Sequence, residues 1–141
     1  MKITSYAVAR PAYYDRGAVT TIQSYGADTA PHVTTTRFTT TVAAGTKLIV
    51  EVALAFTMTT SVATVSGRGF SQVMVASGGN NVDLSRVDQI QLTTSQVATQ
   101  QLIPLQLTVY ASETVVGNTS NGSTGGTLFH VVGFKGTTYA A

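Results

Sequence analysis

The sequence predicts an all-β fold, a β-sandwich or jelly roll of about seven to nine antiparallel strands with an extended N-terminal arm. Three observations carry this reading. Residues 47–58, KLIVEVALAFTM, place Leu48, Val50, Val52, Leu54, Phe56 and Met58 at every second position, the period of a strand with one face in a core. Short runs of Val, Thr, Ile and Phe recur along the chain between turns rich in Gly, Asn and Ser. Only 10% of the 141 residues are charged, against about a quarter in ordinary soluble domains.

The elements follow in order. Residues 3–9 (ITSYAVA) suit a short strand. Residues 10–32 break the pattern at Pro11, Gly17, Gly26 and Pro31, and their apolar content is weighted to tyrosine, which reads as an arm. That arm lies either across its own domain or on a neighbouring subunit, where tyrosine supplies area and a hydrogen bond at low entropic cost. The chain is one domain, with 1–32 as strand and arm and 33–141 as the sandwich.

Residues 33–42, VTTTRFTTTV, are nearly pure β-formers, with Phe38 and Val42 on one face. A turn at 43–46 leads into the apolar strand, so 33–58 reads as a hairpin. Residues 59–66 are a weaker strand or loop, 70–76 another strand, and 77–81 (SGGNN) a turn. Residues 82–92 fit a short helix on Leu84, Val87 and Ile90, or a strand on Val82, Leu84, Ile90 and Leu92; the β context favours strand. Residues 103–111 alternate, with Pro104 implying an edge or a strand start. Ser112 and Glu113 turn the chain, 114–117 continue it, 118–126 (NTSNGSTGG) read as a flexible loop, 127–134 as the last strand and GTTYAA as a loose tail.

Composition narrows the chemistry. A chain of this length buries roughly two-thirds of its unfolded surface, enough for one core. There is no cysteine, so neither a disulfide scaffold nor a thiol nucleophile is available. The eight Lys and Arg residues are scattered, whereas nucleic-acid binding wants a concentrated basic footprint. No apolar run approaches the roughly 20 residues that span a bilayer, and the N-terminus lacks the apolar stretch of a signal peptide. Low surface charge suits a chain packed against copies of itself or a larger assembly.

No catalytic, metal or cofactor site is expected. His32 and His130 are isolated, short of a metal signature, and a lone strand histidine is usually structural. Asp83 and Asp88 are separated by an odd interval, which puts them on opposite faces of a regular strand, so no acid–base pair forms. Lys47 and Glu51 share a strand face as a solvated or interface ion pair. Asn118 and Asn121 each open a glycosylation acceptor pattern of the kind such loops produce by chance.

Two segments resemble the β-sandwich virion proteins of tailed bacteriophages, their decoration (cement) proteins and jelly-roll fibre modules. Residues 37–47, RFTTTVAAGTK, with the apolar strand that follows, look like the T-V-P-A-G-K hairpin of those modules. Residues 107–134 are similar to their closing pattern of strand, A-G-D-T-V turn, strand, Ser/Gly loop and final strand. Ala43 replaces the proline, and Ser112-Glu113 replace Gly-Asp. Together the segments cover about a third of the chain. The resemblance implies a non-enzymatic virion protein, made in the host cytoplasm, that decorates and stabilises the capsid surface. Its partners would be the major capsid protein and itself, commonly as a homotrimer, without nucleic acid, membrane or cofactor. The expected contacts are Tyr13, Tyr14, Arg16 and Tyr25. A tail-fibre or receptor-binding module gripping a host glycan is the alternative, weakened by the absence of tryptophan.

Overall fold

A computed structural model describes residues 16–28, 33–59, 67–91, 98–121 and 127–141. Eight antiparallel strands make two four-stranded sheets: β1 (Arg16–Asp28), β2 (Val33–Thr41), β3 (Thr46–Thr59), β4 (Gly67–Ser77), β5 (Asn80–Gln91), β6 (Ala98–Tyr110), β7 (Thr114–Asn121) and β8 (Leu128–Ala140). One sheet has the order β1-β8-β3-β6 and the other β2-β7-β4-β5. The first strand pairs with the eighth, the second with the seventh, the third with the sixth and the fourth with the fifth. The chain is therefore one long antiparallel ribbon, rolled so that β3 meets β8 and β4 meets β7. That is a jelly roll.

The tip of the ribbon is the two-residue turn Gly78-Gly79, with φ of 56° and 86°. Positive φ at both central positions is the primed turn whose twist matches a hairpin, and glycine adopts it without strain. The strand reading of 82–92 is thereby resolved over Asn80–Gln91, and Pro104 sits on edge strand β6. Residues 3–9 and most of 59–66 lie outside the described residues.

Several expectations change. Residues 33–58 are not a hairpin, because β2 and β3 belong to opposite sheets. The link at 42–45 therefore passes from one sheet to the other at the end of the sandwich, with Ala43, Ala44 and Gly45 exposed, instead of reversing within a sheet. Val42, 6% exposed, plugs that crossing, and its N–H donates to Glu113 O at 3.2 Å. The presumed arm is, over Arg16–Asp28, strand β1 paired along β8. The presumed loop is strand over Asn118–Asn121, buried between β2 and β4 because its polar side chains find partners. Thr36 Oγ1 donates to Asn118 Oδ1 at 3.1 Å, and Arg37 Nε to Thr119 Oγ1 at 3.0 Å. Both asparagines that open the glycosylation patterns are buried in the folded chain. The presumed tail continues β8 to Ala140 beside β3.

The core holds Val42, Leu48, Val50, Val73, Val75, Val109, Val115, Val132 and Phe134, with Phe38 against them. Each such side chain contributes roughly 1.5–3 kcal/mol by leaving water. Phe38 crosses from β2 to meet Phe134 at a ring separation of 5.8 Å, in the space a side chain on Gly117 would fill.

Candidate functional site

Two places in the fold gather chemistry. The first is a polar cluster between the sheets. Thr57, Ser71, Thr119, Asn121 and His130 are all fully buried. Ser71 Oγ donates to Phe56 O at 2.7 Å and lies 2.8 Å from His130 Nδ1. Thr57 Oγ1 lies 2.6 Å from Ser71 Oγ and 3.2 Å from the same nitrogen. A hydroxyl beside an imidazole is the start of a nucleophile–base pair. Here Ser71 Oγ lies within hydrogen-bond reach of a backbone carbonyl as well as the imidazole, and both side chains are buried between the sheets. The arrangement suits structure: hydroxyls from β3 and β4 hold an imidazole from β8 where a polar group would otherwise be costly. His130, expected to be structural, is buried among these hydroxyls. No group of three or more His, Asp or Glu residues gathers among the described residues.

The second place is the outer face of the β1-β8-β3-β6 sheet, and a register shift between Val50 and Val52 creates it. Both Glu51 and Val52 fall opposite Lys135, so the strand gains a residue and the alternation changes phase. Before the bulge Leu48 and Val50 face the core; after it Ala53, Ala55 and Thr57 do, all at 0% exposure. The unbroken even stripe is thus split between two faces. Val52, Leu54, Phe56 and Met58 turn outward and remain partly exposed.

The neighbouring strands match them. Phe56 lies between Val131 and Gln100, and Met58 between Phe129 and Ala98. Leu54 lies between Gly133 and Leu102, the latter 54% exposed. A cavity of about 150 Å³ opens on this face, walled by Val52, Leu54, Leu102, Gln23 and Lys135, and Gly133 beside it lets the β1 backbone approach, since a Cβ there would stand 2.5 Å from Ile22 O. Among the described side chains, the charges on this face lie in its other half, at Lys135, Glu51 and Lys47. Glu51 is engaged: Thr137 Oγ1 donates to its Oε1 at 2.8 Å. The expectation that Lys47 and Glu51 pair gives way to this bond.

The opposite outer face is polar and quite different. A second bulge, at Leu84, brings Asp83 and Asp88 to the same face instead of opposite ones. Asp88 takes Arg86 at 2.9 Å, and Arg86 lies 4.4 Å over the Phe70 ring. The hydrogen bond to Asp88 pushes the guanidinium further above its usual range. Gln72 Nε2 donates to Asp83 Oδ1. Each carboxylate thus has a hydrogen-bond partner on this face.

Of the expected contact residues, Tyr13 and Tyr14 lie outside the described residues. Arg16 opens β1 opposite Tyr139, and Tyr25 lies on the same strand opposite Val131, 65% exposed. Nine residues of extended chain separate the two by about 30 Å, so they do not form one cluster. Tyr25 does stand on the apolar outer face. The residues that make this face, Leu54, Phe56, Met58, Leu102, Phe129 and Val131, were missed as surface. The one signal for them was that both faces of 47–58 are apolar.

No protein-family model matches the chain, and no curated protein matches it by sequence. Among solved structures, the chain is similar to a structure of infectious bursal disease virus Gx strain, at 15% identity over 88% of this chain and 32% of that one, with a TM-score of 0.41. It is similar also to the crystal structure of the infectious bursal disease virus VP2 subviral particle, at 18% identity over 87% of this chain and 33% of that one, with a TM-score of 0.45. The chain spans about a third of the length of these viral chains.

Proposed function

We propose that this chain is a non-enzymatic virion structural protein, a capsid decoration or cement protein that stabilises a shell through subunit contacts. The observation that carries the reading is the apolar, half-uncharged outer face of the β1-β8-β3-β6 sheet. An antiparallel sheet ordinarily presents polar residues to water on its outer side. A contiguous apolar patch across its strands marks an interaction surface. The low charge of the whole chain and the bacteriophage-like segments point the same way. The major capsid protein is the proposed partner, the capsid surface the proposed location, and the homotrimer the assembly the resemblance implies. Tyr25 belongs to the proposed contact surface by position, with Tyr13, Tyr14 and Arg16 as further contacts.

Co-sedimentation with bacteriophage capsids tests this role. The protein is expected to pellet with capsids and to raise their thermal disruption temperature. Removing residues 1–15, which spares β1, is expected to weaken binding if Tyr13 and Tyr14 contribute. A protein that stays in the supernatant with every capsid tried, yet binds host glycans in a parallel screen, overturns the reading in favour of a receptor-binding module.

A further inference from the structure

Where edge strands β1 and β2 come together, beneath the 42–45 link, a cleft of about 190 Å³ enters between the two sheets. Strands of both sheets bring threonines to it. Thr20 on β1 lies in one cross-strand row with Gly136 and Val50, and Thr138 on β8 lies opposite Leu48. Thr40 on β2 lies opposite Val115. Val50, Leu48 and Val115 are core residues, so all three threonines stand at inward-facing positions, where alternation ordinarily supplies apolar side chains. The hydroxyls of Thr20, Thr40 and Thr138 have no hydrogen-bond partner among the described residues, and none is sealed from solvent. Thr46 at the rim differs, because its Oγ1 donates to Ala43 O at 2.7 Å. Val42 and Leu48 form an apolar floor.

Valine has nearly the shape of threonine and contributes more by burial, so packing alone does not call for three hydroxyls here. We infer that this cleft binds a small neutral polyhydroxylated ring, the size of one hexose or cyclitol. Charge narrows the class. Among the described residues no Lys, Arg, His, Asp or Glu lines the cleft, so a charged ligand loses its hydration with nothing to replace it. The hydroxyls narrow it further. A threonine Oγ both donates and accepts, and its proton turns to suit, which matches the mixed donors and acceptors around a polyol. The threonine methyls, Val42 and Leu48 meet the C–H face of such a ring. The volume lies below the roughly 300–1,000 Å³ of pockets for drug-sized ligands, which limits the occupant to one ring. The walls are strands already paired along β8 and β7, so little ordering opposes binding. The site faces inward, apart from the outer face proposed for assembly.

Titration of the full chain followed by two-dimensional NMR, with circular dichroism to confirm folding, tests the inference. The probes are glucose, galactose, mannose and myo-inositol, with glucuronate as the charged control. At least one neutral probe is expected to bind saturably with a dissociation constant on the order of millimolar, the affinity open to about a dozen heavy atoms. It is expected to shift the Val42 and Leu48 signals, and glucuronate to bind at least tenfold more weakly. Thr40→Val and Thr138→Val keep the shape of the cleft and are expected to weaken binding at least tenfold without lowering the melting temperature. Thr39→Val, at an exposed position of β2, leaves it unchanged. Methyl glycosides distinguish the sources: retained binding identifies a ring at the end of a glycan, and lost binding a free sugar. The absence of a saturable shift with every neutral probe overturns the inference. So do valine variants that bind like wild type, or glucuronate binding as tightly as the hexoses. The wild-type shifts decide the matter even where a variant fails to fold. Capsid co-sedimentation is a separate readout, so the assembly role and this site can each fail alone.

Discussion

Gly117 shows how much a single missing atom can hold in place. A Cβ built there would stand 2.3 Å from Cε1 of Phe38, the ring that crosses the sandwich to Phe134. Gly117→Ala must therefore expel Phe38 or move β7, and is expected to destabilise the fold by about 1–3 kcal/mol, read as a lower midpoint in chemical denaturation. Gly45, which has nothing within 4 Å of its Cβ position, is a poor comparison because its φ of +76° is strained for any side chain. At this scale the sequence was only partly legible. Phe38 reads as core from its strand, but nothing in GNTS announces that its glycine is a seat for that ring. His130 reads as structural because it stands alone. Its partners Thr57 and Ser71 are ordinary strand residues whose convergence depends on which strands face each other across the core.

Among the elements, β3 is the one whose pattern misleads most instructively. Period-2 alternation identified it as a strand, and the apolar residues on both its faces hinted at a second covered surface. The bulge at Glu51 decides which residues occupy which face, and a bulge leaves no mark in a stripe that is apolar on both sides. Deleting Glu51 leaves Val50 opposite Gly136 and Val52 opposite Lys135, so Ala53 and Ala55 still face the core and Leu54 and Phe56 still face outward. Closing the bulge with Glu51 retained is the change that slips the later half of the strand by one residue and exchanges its side chains between faces. Glu51→Gln is expected to keep the fold and lose only the charge on the Thr137 bond, read as a fall of about 0.5–1.5 kcal/mol at most in chemical denaturation. The same physics explains the misread β7. Asn118–Asn121 look like loop by composition, yet hydrogen bonds to Thr36 and Arg37 let them run through the middle of a sheet.

For the molecule as a whole, strand count and sandwich class were legible because they depend on local alternation and turns. Sheet membership was not, because it depends on pairings between residues far apart in the chain. Apart from the β4–β5 tip, every ladder joins distant segments, and β1 with β8 is the most distant. Such topologies fold in milliseconds to seconds. Stopped-flow refolding followed by tyrosine fluorescence, the chain having no tryptophan, is expected to show a main phase in that range. A microsecond phase carrying the full amplitude contradicts the ribbon as the folding unit. The rolled ribbon also matters while the protein is being made. A ribosome adds roughly 5–20 residues each second, and β1 must wait on the order of 100 residues for β8 to emerge. During that interval β1, β2 and β3 are newborn strands without mates. The threonines that fill β2 keep that stretch wettable and slow to find the wrong neighbour, a protection the finished sandwich no longer needs.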